Sequence, residues 1–384
     1  MVIGVICEYN PFHLGHKYQI DKIKEENKDA KIVAIMSGNA VQRGELAIFD
    51  KQIRAEIALI CGADMVLEMP FPYSSATAEI FANAGVEIAT KIGCDYLYFG
   101  TENCDLEYLK EVANAVDSPR LEEKISSYLS DKSLSYISAK QKALSDLGLE
   151  TKALANDMLG IEYIRAINNK KSHLIPKAIK RVGAGYNDAS RCEIMSASAI
   201  RKYLYTNNEL LSVPNEALDM YKKAIFDGLI LDNEKALDFM HKMAIMLPRK
   251  VLDNAFDSSK EIGAIIKDSA ISTKNGKDFI SELSSKAYTT ARIKRALLSA
   301  VFDINELDKS PKFCLLLGAN KNGREILSRV MDFTVITKHS DAKNLDELSL
   351  AQLEKCYEID KVYNTLLKSP LPPDSAYKRK PIIM

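Results

Sequence analysis

Val2-Ile3-Gly4-Val5-Ile6-Cys7-Glu8-Tyr9-Asn10-Pro11-Phe12-His13-Leu14-Gly15-His16 is the stretch on which the fold turns. Val2 to Cys7 is a short apolar, β-branched run and reads as a buried strand. A helical pattern begins near Lys17, which leaves the two histidines at a strand-to-helix junction. Three further short runs, Ile32 to Met36, Met65 to Met69 and Tyr96 to Phe99, alternate with segments of helical spacing. Parallel strands need helical crossovers, so the alternation predicts a doubly wound parallel α/β sheet with ligands at the carboxyl ends of its strands.

Working outward, Leu106 to Ala155 reads as helical, and Leu159 to Ile167, Ile175 to Val182 and Ala199 to Leu204 as helix, strand and helix. Beyond Thr206 strand signals thin out and amphipathic segments dominate, among them Ala217 to Phe226, Tyr288 to Phe302 and Leu345 to Leu367. The chain of 384 residues is therefore expected to form two domains, 1–205 and a mostly helical 206–384. The Pro/Lys-rich tail Ser369 to Lys380 is expected to be loosely held.

Apolar residues at 47% and charged residues at 27% fit a globular chain and exclude a disordered or fibrous one. Lys plus Arg and Asp plus Glu both number 52, so any nucleic-acid partner must use a local patch rather than a global field. Seven cysteines at positions 7, 61, 94, 104, 192, 314 and 356 include no close pair, which disfavours a disulfide framework or zinc knuckle and fits a reducing cytoplasm. No apolar run approaches the ~18 residues of a membrane span, so no membrane association is expected, and no feature calls for a protein partner.

Chemistry is expected first at His13-Leu14-Gly15-His16. Histidines three apart share one face of a first helical turn, beside unpaired backbone N–H groups and the positive dipole end, where phosphate binds. Gly15 lets a nucleotide approach the backbone, and the imidazoles can donate to phosphate oxygens as pyrophosphate departs. With only five His in the chain, this pairing outweighs two incidental core or surface residues. A second cluster, Ser37-Gly38-Asn39-Ala40-Val41-Gln42-Arg43-Gly44-Glu45, follows the second strand. Its Ser37, Gly38, Asn39, Gln42 and Arg43 are candidate acyl or phosphate contacts. Ser196, Ser198 and Arg201 read as a helix N-terminus with hydroxyls and a charge one turn in. Gly100 closes the fourth strand, Asn156 alone reads as a helix cap and Arg181 as a surface charge. Gly183-Ala184-Gly185 lacks the third glycine and downstream acid of a dinucleotide fingerprint, and no Gly-Lys-Ser or Gly-Lys-Thr phosphate loop is present.

The His-x-Gly-His motif resembles that of the nucleotidylyltransferase superfamily, with its Rossmann-like sheet. Four blocks, Gly4 to His16, Met36 to Asn39 with Val41 to Gly44, Leu159 to Tyr163 and Ser196 to Arg201, together resemble the bacterial tRNA(Met) cytidine acetate ligases. The resemblance implies activation of acetate by ATP to acetyl-adenylate, then transfer of the acetyl group to the wobble cytidine of elongator tRNA(Met), forming N(4)-acetylcytidine. It implies His13 and His16 as catalytic. ATP binding would involve Cys7, Glu8, Tyr9, Asn10, Pro11, Phe12, His13, Leu14, Gly15, His16, Lys17, Tyr18, Gln19 and Ile20, with Gly100, Asn156 and Arg181. Mg²⁺ is expected with the phosphates, without identified ligands and with no metal site of the protein's own. At Leu14, Gln19 and Ala40 the sequence departs from the family's usual Asn, His and Phe, and Ala40 leaves less bulk in the loop expected to bound the acyl pocket.

The chemistry agrees with that implication. A cytosine amine is a poor nucleophile and acetate a poor electrophile, so one must be activated, and positioning with charge stabilisation suffices for an adenylate. Two alternatives stay open: transfer of AMP to a small phosphorylated substrate, and a non-catalytic RNA-binding protein. For tRNA, the segment Thr289 to Leu298 offers Arg292, Lys294 and Arg295 as an outward basic face over Ile293, Ala296 and Leu297, with Lys378-Arg379-Lys380 assisting.

Overall fold

The computed structural model describes residues 1–102, 105–130, 136–149, 155–182, 194–285 and 287–384. Its strands are β1 (Val2–Cys7), β2 (Lys31–Ser37), β3 (Ala40–Val41), β4 (Glu45–Leu46), β5 (Met65–Met69), β6 (Tyr96–Thr101), β7 (Ile175–Lys180), β8 (Phe313–Ala319), β9 (Thr334–Ile336) and β10 (Ile382–Ile383). The expected strands are all present, each within a residue or two at its ends. The eight-stranded sheet runs β10-β8-β5-β2-β1-β6-β7, with β9 beside β8. From β5 to β7 the pairing is parallel, and the order reverses direction at β1, so the cleft beyond β1 and β6 is the switch point of a doubly wound sheet.

Two apolar layers cover the sheet. Ile6, Val33, Ile35, Leu67, Leu97 and Ile164 belong to one, and Ile3, Val5, Ile32, Ala34, Val66 and Ile57 to the other. Adjacent residues of one strand therefore face opposite layers, as the pleat requires.

The second half is less purely helical than its pattern suggested. Its helices Asn233–Met246, Lys260–Ser272 and Thr290–Val301 do enclose a core of their own, with Ile262, Ile266, Phe279, Ile293 and Leu297 buried. Phe313-Cys314-Leu315-Leu316-Leu317-Gly318-Ala319, however, is a fully buried strand that enters the main sheet antiparallel to β5, with a register shift between Val66 and Leu67. The chain thus returns to the sheet after residue 206. The tail is not loose: Pro373–Lys378 forms a 3-10 turn, Ile382–Ile383 pairs with β8, and Arg379 bonds Asp50 at 2.6 Å.

That contact belongs to a sealed set of charges. Lys51 Nζ lies 2.6 Å from Glu68 and 2.7 Å from Asp360, and Arg379 bridges Asp360 at 3.2 Å. Asn39, buried in the middle, donates to Asp50 and Asp360 and accepts from the Lys51 N–H at 2.8 Å. A buried carboxylate is tolerable only when paired in this way.

Candidate active site

The polypeptide leaves β1 at Cys7 and turns sharply. Tyr9 takes a left-handed φ of 48°, the Asn10–Pro11 bond is cis, and His13 is the extended N-cap of helix Leu14–Glu26, which opens three residues before the expected Lys17. A positive φ is uncommon for a bulky residue and persists only where the surroundings hold it. Here Arg54 donates to the Glu8 carbonyl, Arg201 to the Asn10 carbonyl at 2.7 Å and Tyr221 to the Phe12 carbonyl at 3.0 Å.

Both histidines cap the helix. The Gly15 N–H donates to His13 Nδ1 at 3.0 Å, and the His13 N–H donates to His16 Nδ1 at 3.2 Å, a capping box built from imidazoles instead of Ser and Glu. Gly15 is needed for this approach: a Cβ there would lie 2.8 Å from His13 Cε1. Because each Nδ1 accepts, the proton of each neutral ring resides on Nε2, leaving one N–H donor per ring for a ligand. Burial, reinforced by the Arg181 charge, pushes His13 down to about 4. His16 falls well below its ordinary value through burial, then through His13 and Arg181. The rings lie 3.8 Å apart, Tyr9 packs edge-on to His16 and Phe12 lies tilted against it.

Around them opens a cleft of about 830 Å³, the size of a nucleotide site. Gly100 and Arg181 border it from the ends of β6 and β7. Arg181 Nη1 donates to Asn156 Oδ1 at 3.3 Å, and Asn156 donates in turn to Glu102 at 2.6 Å, so the guanidinium is oriented by a relay across two strand ends. From a third side comes helix Ala197–Asn207, whose N-cap Ser196 accepts from the Ala199 N–H while its hydroxyl contacts that of Ser198 at 3.2 Å. Gln42 and Arg43 enter from the β3–β4 hairpin, and the Gln42 N–H donates to Glu8 Oε1 at 2.9 Å. Phe81, Phe99, Leu159 and Tyr163 form an apolar wall. Their contribution was not read from the sequence, where they look like ordinary core positions of strand and helix.

Most expected residues converge here: Cys7, Glu8, Tyr9, Asn10, His13, Gly15, His16, Tyr18, Gln19, Gly100, Asn156, Arg181, Gln42, Arg43, Ser196, Ser198 and Arg201 all line the cleft. Five of the contiguous stretch do not. Phe12 and Ile20 are core residues, Pro11 is buried in the turn, and Leu14 and Lys17 border a separate hollow with Asp21 and Ser212.

Three loop residues need a different account. Ser37 and Asn39 are buried behind the cleft, and Asn39 is engaged with the sealed charges. Gly38 is held against Glu68, whose Oε1 a Cβ would meet at 2.1 Å. None of the three lines the cleft. Ala40 likewise packs among the helices with Phe71 and Met240, so its small size does not widen an acyl pocket. The cations of the expected tRNA face are likewise engaged within the protein. Arg295 is buried against Asp257 at 2.8 Å, Arg292 bridges the same carboxylate at 3.2 Å, and Lys294 pairs with Glu45 at 2.7 Å. Ile293, Ala296 and Leu297 do pack inward, while the three cations share two carboxylates, Asp257 and Glu45, which reduces the positive charge of that face. Gly183 and Gly185, with Cys104 and Cys192, lie outside the described residues.

Among the described residues no three His, Cys, Asp or Glu side chains converge as a metal ion would require. Mg²⁺ at nucleotide sites is held mainly by substrate phosphates and water with one or two carboxylates, and the described residues present no three-ligand set that would hold it on the protein alone. No helix among them is long and apolar enough to cross a membrane.

A family model described as HIGH Nucleotidyl Transferase matches residues 1–377. The tRNA(Met) cytidine acetate ligase of Fervidobacterium nodosum is 33% identical over 344 residues, covering 85% of this chain and 80% of that protein. The chain belongs to the tRNA(Met) cytidine acetate ligase family. The ligase of that name from Lactobacillus delbrueckii subsp. bulgaricus is 32% identical and covers 99% of both chains. A solved member of the family, Thermotoga maritima TmcAL bound with alpha-thio ATP, superposes with a TM-score of 0.89 at 28% identity, covering 100% of this chain and 99% of that one. The fold of the whole chain is thus shared with that solved ligase.

Proposed function

We propose that this chain activates acetate with ATP and passes the acetyl group to the wobble cytidine of elongator tRNA(Met). The observation that carries the reading is the imidazole capping box: it commits each Nδ1 to the backbone and leaves two Nε2–H donors and Arg181 around one cleft. A carboxylate oxygen of acetate attacks the α-phosphorus, the bond to the pyrophosphate oxygen breaks, and charge grows on the phosphate oxygens. Neutral donors held by the fold stabilise that charge without reorganising. Their neutrality is itself useful, because an acetate and a polyphosphate must meet there and a buried proton on nitrogen would be drawn to either. The helix N-terminus at Ser196 adds further N–H groups for phosphate.

Names and solved relatives support ATP as the nucleotide and tRNA(Met) as the acceptor. In this reading residues 1–205 hold the ATP-binding chemistry, residues 206–384 receive the tRNA, Mg²⁺ travels with the phosphates on substrate oxygens, and the reaction takes place in the cytoplasm. The test is pyrophosphate exchange into ATP with and without acetate, followed by transfer of labelled acetyl to elongator tRNA(Met). Exchange that depends on acetate, and label recovered as N(4)-acetylcytidine, is the expected result. Exchange that ignores acetate, or that requires a phosphorylated small molecule, would overturn it.

A further inference from the structure

One carboxylate in the cleft carries a charge that does not suit phosphate. Glu8 follows β1 directly, and its backbone is held by Arg54 through the Glu8 carbonyl. Its side chain lines the cleft together with Phe81 and Tyr163 of the apolar wall. Oε1 accepts the Gln42 N–H at 2.9 Å, and among the described residues nothing donates to Oε2. An anionic group so placed repels both polyphosphate and acetate. It suits a partner that offers only donors, and the exocyclic amine of cytosine is such a partner, the carboxylate being the side chain that pairs with cytosine N4.

Resting on the proposed acetyl transfer, we propose that Glu8 receives the cytidine N4 amine on Oε2 and takes its proton as the acetyl group moves. In this step the N4 lone pair attacks the acyl carbon and the C–N bond forms. The acyl C–O bond to AMP breaks with its electron pair passing to the AMP phosphate oxygen, and the N4 proton moves to Glu8 and from there to solvent. The amine becomes acidic only as it attacks, so a base with a proton affinity above that of an ordinary carboxylate is well matched to it. Burial raises the Glu8 carboxyl, against the pull of the Gln42 N–H and of the Arg201, Arg43 and Arg54 charges. Those three arginines face it from helix Ala197–Asn207, the hairpin and helix Lys51–Ile60, and Cys7, Tyr9, His13, His16, Tyr18, Glu45, Tyr163, Lys180 and Arg181 are further titratable or charged groups about the cleft.

The experiment compares full-length wild type, Glu8→Gln and Glu8→Asp in two assays: acetate-dependent pyrophosphate exchange, and single-turnover transfer from synthetic acetyl-adenylate to elongator tRNA(Met). Glu8→Gln should slow transfer by ~10² or more, the usual worth of a positioned base, and by far more than it slows exchange. Wild-type transfer should rise with pH along a limb that Glu8→Gln abolishes, that Glu8→Asp keeps, and that His13→Asn does not remove. Equal losses in the two assays would place Glu8 in adenylation and overturn the inference, as would wild-type transfer rates in Glu8→Gln. Absence of acetate-dependent exchange in the wild type would instead refute the acetate reading itself, and this inference would fall with it.

Discussion

Two polar assemblies stand back to back at the carboxyl ends of β1, β2 and β5, and they differ in what they leave unengaged. In the sealed one, Lys51, Glu68, Asp360, Arg379 and Asp50 are paired with one another and with Asn39, away from solvent. In the cleft, His13 and His16 commit only Nδ1, Glu8 only Oε1 and Arg181 only Nη1 to described residues. Charge density is at least as high in the sealed set. What distinguishes a place for a ligand is residual hydrogen-bonding capacity opening onto a cavity, since buried groups without partners are costly and are otherwise paired.

The strongest challenge to this contrast is Lys51→Met, which would leave Glu68 and Asp360 buried without their shared cation. It should cost ~3–5 kcal/mol in denaturant unfolding, and a midpoint close to wild type would show that the sealed set is not a structural lock. Next come the histidines. His16→Ala should lower acetate-dependent exchange by ~10². His13→Ala should do the same and also lose ~1 kcal/mol of helix capping. His13→Asn should recover the capping stability and not the exchange, and recovery of both would place the chemistry elsewhere. Arg181→Ala, removing one oriented charge, should raise the KM for ATP on the order of tenfold, worth ~1.4 kcal/mol. An unchanged KM would detach Arg181 from the nucleotide.

Acid supplies a further comparison. Both imidazoles bind protons less readily in the folded state, His13 dropping from 6.5 to about 4. The unfolded chain therefore takes up more protons on acidification, so the contribution of His13 is complete above pH ~6.5 and is lost as pH falls toward ~4, and that of His16 is lost in the same direction. Urea titrations should show stability falling more steeply through that window in wild type than in His13→Asn. Equal slopes would mean the rings are not held neutral. The smallest effect is expected at the half-exposed Arg292, where replacement by Ala should change stability by less than ~1 kcal/mol and leave the salt dependence of tRNA binding unaltered. A flattened salt slope would return this helix to the RNA surface.

Local pattern carried the first hundred residues well. Val2 to Cys7 alternates between two buried faces, and His13, Gly15 and His16 are contiguous with it, so strand, turn and site were legible from one stretch of chain. Where the reading failed, the deciding partner lay far away. Asn39 looks like a loop donor beside a glycine, and its burial depends on Asp360, 321 positions on. Arg295 has the spacing of an exposed cation, but Asp257 claims it. Phe313 to Ala319 is an apolar run short enough for strand or helix, and its sheet partners, β5 across some 250 positions among them, decide between the two.

Arg379 and β10 carry a consequence for synthesis on the ribosome. Asp50, Lys51 and Glu68 emerge early, whereas the guanidinium that completes their charge balance and the strand that flanks β8 stand at positions 379 and 382–383. A nascent polypeptide halted before Arg379 therefore lacks a cation that Asp50 and Asp360 share, and it should be cut by protease more readily than the finished sequence.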